Sequence, residues 1–222
     1  MMHVRWRGLE LPASVTLEEN SATDTFGRFI VEPFERGFGT TIGNSLRRIL
    51  LSTIECSAIT SIRVKGAEHE VCTIEGVKQD MVDIVLNVKG LVVDVDSDEP
   101  KVLRLSASGP GEVTADLIEA DASVTVYNPD HVIATLTGTV DFEMELTIER
   151  GRGYVPAAER YATKEEQIIG ELPIDAIYSP VHRVRYRVEN TRVGQKTNFD
   201  RLNHDIWTNG TVSLEMCLVA CP

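Results

Sequence analysis

The sequence predicts a mixed fold of helices and short strands, with a mainly β middle that charge sets apart from the two ends of the chain. Three observations predict it. Two segments carry helical apolar spacing among many short alternating or β-branched runs, and no repeating βαβ series links them. The 222 residues hold 22 basic and 34 acidic side chains, a net charge of −12, but the imbalance is local. Residues 1–56 carry 6 basic and 7 acidic groups, residues 57–176 carry 10 and 23, and residues 177–222 carry 6 and 4. A near-neutral beginning and end around an acidic middle is the pattern of an insertion. With 42% hydrophobic residues the chain has ample core material for one large domain or two small ones.

The elements follow in order. Residues 26–33 read as a strand, 35–39 as a glycine turn, and Thr40 or Thr41 as the cap of a helix running to about Thr53. Ile42, Leu46, Ile49 and Leu50 fall at helical spacing, and Leu51 and Ile54 widen the apolar surface, so this helix packs on two sides. A second helix spans residues 75–89, with Val77, Met81, Ile84, Val85 and Val88 on one face and Gly90 ending it. Residues 58–64, 91–95, 102–106, 122–127 and 140–148 are strands separated by Asn, Gly, Pro and Asp. From Val181 the alternation places Val184, Tyr186 and Val188 on one strand face and Arg183, Arg185 and Arg187 on the other. Asn209-Gly210 marks a turn, and Ser213 caps a short final helix.

Composition and spacing exclude several function classes. Cys56, Cys72, Cys217 and Cys221 form no C-x-x-C pair and read as small buried hydrophobes in a reducing compartment rather than zinc ligands. Gly37-x-Gly39-x-x-x-Gly43 resembles a dinucleotide loop, but its spacing is too long and the phosphate-binding lysine is missing, so the glycines are read as turn geometry. His3, His69, His131, His182 and His204 are scattered, and neither G-x-S-x-G nor H-E-x-x-H is present. The acidic run Asp94 to Glu99 lacks the glycine and terminal glutamate of an EF-hand loop and reads as a solvated turn. No catalytic, metal or cofactor site is expected. A net charge of −12 argues against autonomous nucleic-acid binding. Residues 1–12 lack a signal-peptide core and no apolar run reaches the ~18 residues of a membrane span, so the chain is expected to be cytoplasmic.

The arginines carry more information. Arg47 and Arg48 on a helix that is apolar on several sides must reach solvent or meet carboxylates on a partner. Together with the Arg183, Arg185 and Arg187 stripe they offer docking surface on an otherwise acidic protein.

Glu32-Pro-Phe-Glu-Arg-Gly-Phe-Gly-Thr-Thr-Ile-Gly-Asn-Ser-Leu-Arg-Arg-Ile-Leu-Leu-Ser52 resembles the hallmark segment of the bacterial RNA polymerase α subunit, N-terminal domain. Further matches follow in the family's order: His69-Glu70, Ile74-Glu-Gly-Val-Lys-Gln-Asp80, Leu86-Asn-Val-Lys-Gly-Leu91, Glu149-Arg-Gly-Arg-Gly-Tyr-Val-Pro156, Ile174-Asp-Ala-Ile-Tyr-Ser-Pro-Val181, Val188-Glu-Asn-Thr-Arg-Val-Gly194 and Thr208-Asn-Gly-Thr211. The resemblance implies an α+β fold of two subdomains: a dimerisation subdomain of sheet plus helices that the two ends form together, residues 1–56 and 177–222, and an inserted, mainly β subdomain, residues 57–176. It implies a homodimer that serves as platform for the β and β′ subunits of DNA-directed RNA polymerase, a nucleotidyltransferase, with no active site or cofactor in this chain.

Carried over by position, Phe38, Ile42, Leu46, Ile49 and Leu50 belong to the dimer interface, and Arg36, Asn44, Arg47 and Arg48 to the surface that docks the β subunit. Family members continue into a long helix, a linker and a DNA-contacting C-terminal domain. This sequence stops at Pro222, so that domain is expected to be absent and DNA to be reached only through the assembled enzyme. The alternative is a truncated paralogue that binds polymerase subunits as a regulatory protein.

Overall fold

The computed structural model describes residues 10–12, 14–119, 121–163 and 170–219; His3 and Cys221 lie outside the described residues. In chain order the elements are β1 (Val15–Leu17), β2 (Phe26–Phe34), α1 (Phe38–Ser52), β3 (Glu55–Val64), α2 (Met81–Lys89), β4 (Val93–Val95) and β5 (Lys101–Ser108). They continue with β6 (Gly111–Thr114), β7 (Val124–Val126), β8 (Val132–Leu136), β9 (Asp141–Arg152), β10 (Tyr154–Val155) and α3 (Ala157–Thr163). The last are β11 (Glu171–Pro173), β12 (Ala176–Ile177), β13 (Val181–Val193), β14 (Lys196–Thr208) and α4 (Leu214–Val219). Every ladder among the described residues is antiparallel, and α1 and α2 pack against strands of the sheets, an α+β architecture.

Two compact units divide the chain: one made of residues up to Ile54 with those from Pro180, the other of Glu55–Ser179. The boundaries fall there rather than at 56/57 and 176/177 because Cys56 already pairs with Gly151 in the β3–β9 ladder and Tyr178 packs with Ala58 and Ala176. The middle unit holds 24 of the 34 acidic and 10 of the 22 basic residues, a net −14, which leaves the end-derived unit at +2.

In the middle unit the sheet β11-β3-β9-β5 buries one face. Ile62 of β3 and Leu146 and Ile148 of β9 pack there with Met81, Ile84 and Val88 of α2, all at 1% exposure or less. Helix α2 starts at Met81, six residues later than the apolar spacing predicts. Gly76 sits at φ +81°, outside helical space, and Val77 is drawn into a bridge with Leu136. The helix starts where Asp80 supplies a cap, its carboxylate accepting the Asp83 N–H at 2.8 Å. Asp80→Ala is therefore expected to cost about 1 kcal/mol, read as a lower denaturation midpoint at unchanged slope.

The end-derived unit is a four-stranded sheet, β1-β2-β14-β13, with α1 packed on one face against β13 and β14. Alternation along β14 sends Asp200, Leu202, His204 and Ile206 toward the helix and Arg201, Asn203, Asp205 and Trp207 to the opposite face. Leu50, Phe29, Val184, Ile206, Leu214 and Cys217 form the core beneath α1. Ser213 caps α4 as expected, accepting the Met216 N–H at 3.2 Å.

Candidate protein-docking surface on helix α1

Helix α1 begins two or three residues before the threonines expected to cap it. Its N-cap is Gly37 at φ +89°, which has no side chain to offer the orphan N–H groups of the first turn. That acceptor comes from β14, 163 residues away. Asp200 Oδ2 accepts the N–H of Gly37 at 2.7 Å and of Gly39 at 3.2 Å. Thr40 and Thr41 stay exposed.

Two glycines let the helix lie close to the sheet. A Cβ on Gly43 would stand 2.8 Å from the Tyr186 ring and 2.9 Å from Leu202, and one on Gly39 3.0 Å from Val188. Only Gly37 of the glycine series serves a turn; Gly39 and Gly43 serve packing. At Gly43 the approach brings a third polar contact, with His204 Nε2 3.2 Å from the Gly43 carbonyl. A carbonyl only accepts, so Nε2 carries the proton and donates. The ring also stacks near Tyr186, centroids 6.1 Å apart.

Burial pushes the His204 pKa below its ordinary 6.5, opposed by the bond to Gly43 and the charge of Asp205. Below about pH 6.5 the unfolded chain therefore binds a proton that the folded chain resists. His204 contributes stability above that pH, and the contribution is lost as pH falls toward the depressed folded value. The melting temperature of the wild type is expected to fall more steeply between about pH 7 and 5 than that of His204→Gln. Parallel profiles would remove His204 from the linkage.

Asp200 and His204 were not expected from the sequence. The signal that finds them is the period-two run Asp200-Arg-Leu202-Asn-His204-Asp-Ile206, in which two polar groups occupy inward positions of a half-buried strand.

At 100° per residue the helix has distinct faces. Gly39, Gly43 and Leu50 face the sheet and are buried. Phe38, 42% exposed, lies along one flank with the partly exposed Ile42 and Ile49, and Leu46 borders the sheet side. Asn44 and Arg47 lie on the other flank and Arg48 points away from the sheet; all three are exposed, as is Arg36 in the preceding turn. None of Arg36, Arg47 and Arg48 meets a carboxylate within ion-pair distance among the described residues.

Leu50 is a correction. Its side chain is 0% exposed, packed in its own chain's core, so it has no surface left to bury against a second copy. The apolar surface that α1 does offer is Phe38, Ile42 and Ile49, with part of Leu46. One face of a single helix thus anchors it, a second presents apolar side chains, and a third presents cations.

Elsewhere, Cys56 and Cys217 are buried and Cys72 is partly exposed. Asp94 accepts the Ser57 hydroxyl at 3.1 Å, and Asp96, Asp98 and Glu99 are exposed. Among the described residues no group of three or more His, Cys, Asp or Glu is placed to hold a metal ion. No helix among them is long and apolar enough to cross a membrane.

Residues 62–179 match the RNA polymerase Rpb3/RpoA insert domain family. The chain is 54% identical over 217 residues, 98% of its length, to the DNA-directed RNA polymerase subunit alpha of Rhodopirellula baltica. It is 48% identical over 207 residues, 93% of its length, to that of Syntrophomonas wolfei. To that of Symbiobacterium thermophilum it is 50% identical over 208 residues, 92% of its length. The matched regions cover 65%, 65% and 64% of those proteins, so the chain spans less than two thirds of each. By its insert domain and by relatives that match nearly all of its residues, the chain belongs to the bacterial RNA polymerase α-subunit family.

Proposed function

We propose that this chain is a non-catalytic assembly subunit of bacterial DNA-directed RNA polymerase. Two copies pair across a two-fold axis through the apolar flank of α1, and the dimer recruits the β and β′ subunits in the cytoplasm, needing no cofactor of its own. The observation that carries the reading is the division of α1 into an anchored face, an apolar flank and a cationic flank. A self-complementary apolar stripe suits an isologous contact, in which each copy contributes the same side chains. Exposed arginines beside it suit carboxylates on a different partner. The regulatory-paralogue alternative rests solely on where the sequence stops, and no observation favours it.

The test is co-purification of the chain with β and β′, followed by promoter-dependent transcription from the reconstituted complex. Failure to form an α-dimer, or a dimer that captures neither large subunit, would sink the proposal. Arg48→Ala is expected to leave the dimer intact and weaken β capture by about 2 kcal/mol, because truncation leaves the partner carboxylate unpaired. Unchanged pull-down of β would leave Arg48 as a solvated side chain.

A further inference from the structure

The sheet face opposite α1 carries five arginines in register, and they are not treated alike. Asp205 lies in one cross-strand row between Arg185 of β13 and Arg28 of β2, and bonds Arg28 at 2.6 Å. Glu18 adds a second carboxylate to Arg28 at 3.3 Å, and Arg201 of β14 has Glu32 at 4.0 Å. The three on β13, Arg183, Arg185 and Arg187, are exposed and have no carboxylate within ion-pair distance among the described residues. Arg183 lies over the Trp207 ring at 4.8 Å. Arg28 is thus paired twice and Arg201 stands at the limit of ion-pair distance, with Glu189 of β13 opposite it, while Arg183, Arg185 and Arg187 of the outermost strand stay open.

That strand is also an edge. β13 is 13 residues long, ends the sheet order, and has no strand on its far side among the described residues. At alternate residues its N–H and C=O groups therefore point away from β14. The other edges of the four-stranded sheets are shorter: β1 and β11 have 3 residues each and β5 has 8. Charge is a common guard on an edge strand, and that is the whole role these arginines would have without a partner. A guard needs no particular sign. Here three like charges stand ~7 Å apart along one strand before the same face turns acidic at Glu189, whereas Arg28 on the inner strand is held by Asp205 and Glu18.

We propose that the β13 edge is a strand-addition site for an extended, acidic segment of a partner protein. The segment's backbone pairs with the outward N–H and C=O groups of β13, and acidic side chains at alternate positions fall opposite Arg183, Arg185 and Arg187. Directly opposed side chains on neighbouring antiparallel strands have Cβ atoms ~5 Å apart, within reach of a bidentate arginine–carboxylate pair. Backbone pairing supplies affinity and the alternating acids supply register. A nucleic acid would meet the same charges but has no backbone to continue the ladder. The inference does not depend on the polymerase reading.

The test uses the full chain and a fluorescein-labelled peptide of about ten residues that alternates glutamate with threonine. Anisotropy titrations at low salt compare it with three probes: a peptide of the same composition with its glutamates contiguous, an alternating peptide with its ladder amides N-methylated, and a labelled DNA duplex. The alternating peptide is expected to bind, and binding is expected to weaken roughly tenfold or more for both control peptides and for the Arg183→Ser/Arg185→Ser/Arg187→Ser protein. That variant should melt cooperatively and close to the wild type, since its changed side chains are exposed and the contact it loses within the chain is that of Arg183 with Trp207. No binding of the alternating peptide, equal binding of the contiguous or N-methylated peptide, or tighter binding of the duplex would each overturn strand addition. The peptide controls leave the protein unaltered and so decide the matter even if the triple variant folds poorly.

Discussion

Asp200→Ala is expected to fray the first turn of α1 and to destabilise the end-derived unit by about 2–3 kcal/mol, the combined scale of a lost cap and a lost charge-assisted bond. Asp200 is 6% exposed, and its single oxygen Oδ2 accepts two helix N–H groups, those of Gly37 and Gly39. No acidic residue lies in the first turn of α1 and its N-cap is a glycine, so no local group replaces the lost acceptor. The carboxylate also places negative charge at the positive end of the helix. Asp200→Asn keeps one carbonyl oxygen and should lose roughly half as much. Urea denaturation gives the magnitude, and amide exchange should localise the loss to the turn containing Phe38. Wild-type exchange at Gly37 and Gly39 in the alanine variant would mean the cap is not Asp200. Because Arg36 and Phe38 belong to that turn, capture of a partner should weaken along with it.

The parts of this architecture that depend on local pattern are legible in the sequence. Alternation places Val184 and Tyr186 against the helix and the β13 arginines away from it, and Ser213 caps α4 through a bond only three residues long. The parts that are not legible depend on distant residues. Thr40 and Thr41 are good caps by type, but the helix starts earlier because a carboxylate on β14 holds an N–H donor before them. Apolar spacing runs back through Val77, yet Gly76 at φ +81° and the Val77–Leu136 bridge turn that stretch away from α2. Leu50 shares the helical spacing of Ile42 and Ile49, and spacing alone does not say which apolar residues face their own sheet. That depends on Gly39 and Gly43, whose missing Cβ atoms fix the face on which α1 sits.

The same distinction makes Ile42→Asp and Leu50→Ala separable by their readouts. Ile42 is partly exposed on the flank of α1, two turns from the helix N-terminus at most, where a carboxylate costs the isolated chain little beyond about 0.5 kcal/mol of helix propensity. Across a two-fold contact the two aspartates would face apolar neighbours and one another, a buried like-charge arrangement costing several kcal/mol, more than a hundredfold in dimer affinity. Sedimentation should then show monomer at concentrations where the wild type is dimeric, with a nearly unchanged melting curve at concentrations where both are monomeric. Leu50→Ala is the converse. It opens a cavity among Phe29, Val184 and Ile206 and should lower the stability of the unit by about 2–5 kcal/mol, a loss that persists in the monomer. A dimer unaffected by Ile42→Asp would remove this flank from the interface. If Leu50→Ala instead left the monomer's stability untouched and broke only the dimer, the leucine would face the partner after all and the anchored face of α1 would have to lie elsewhere.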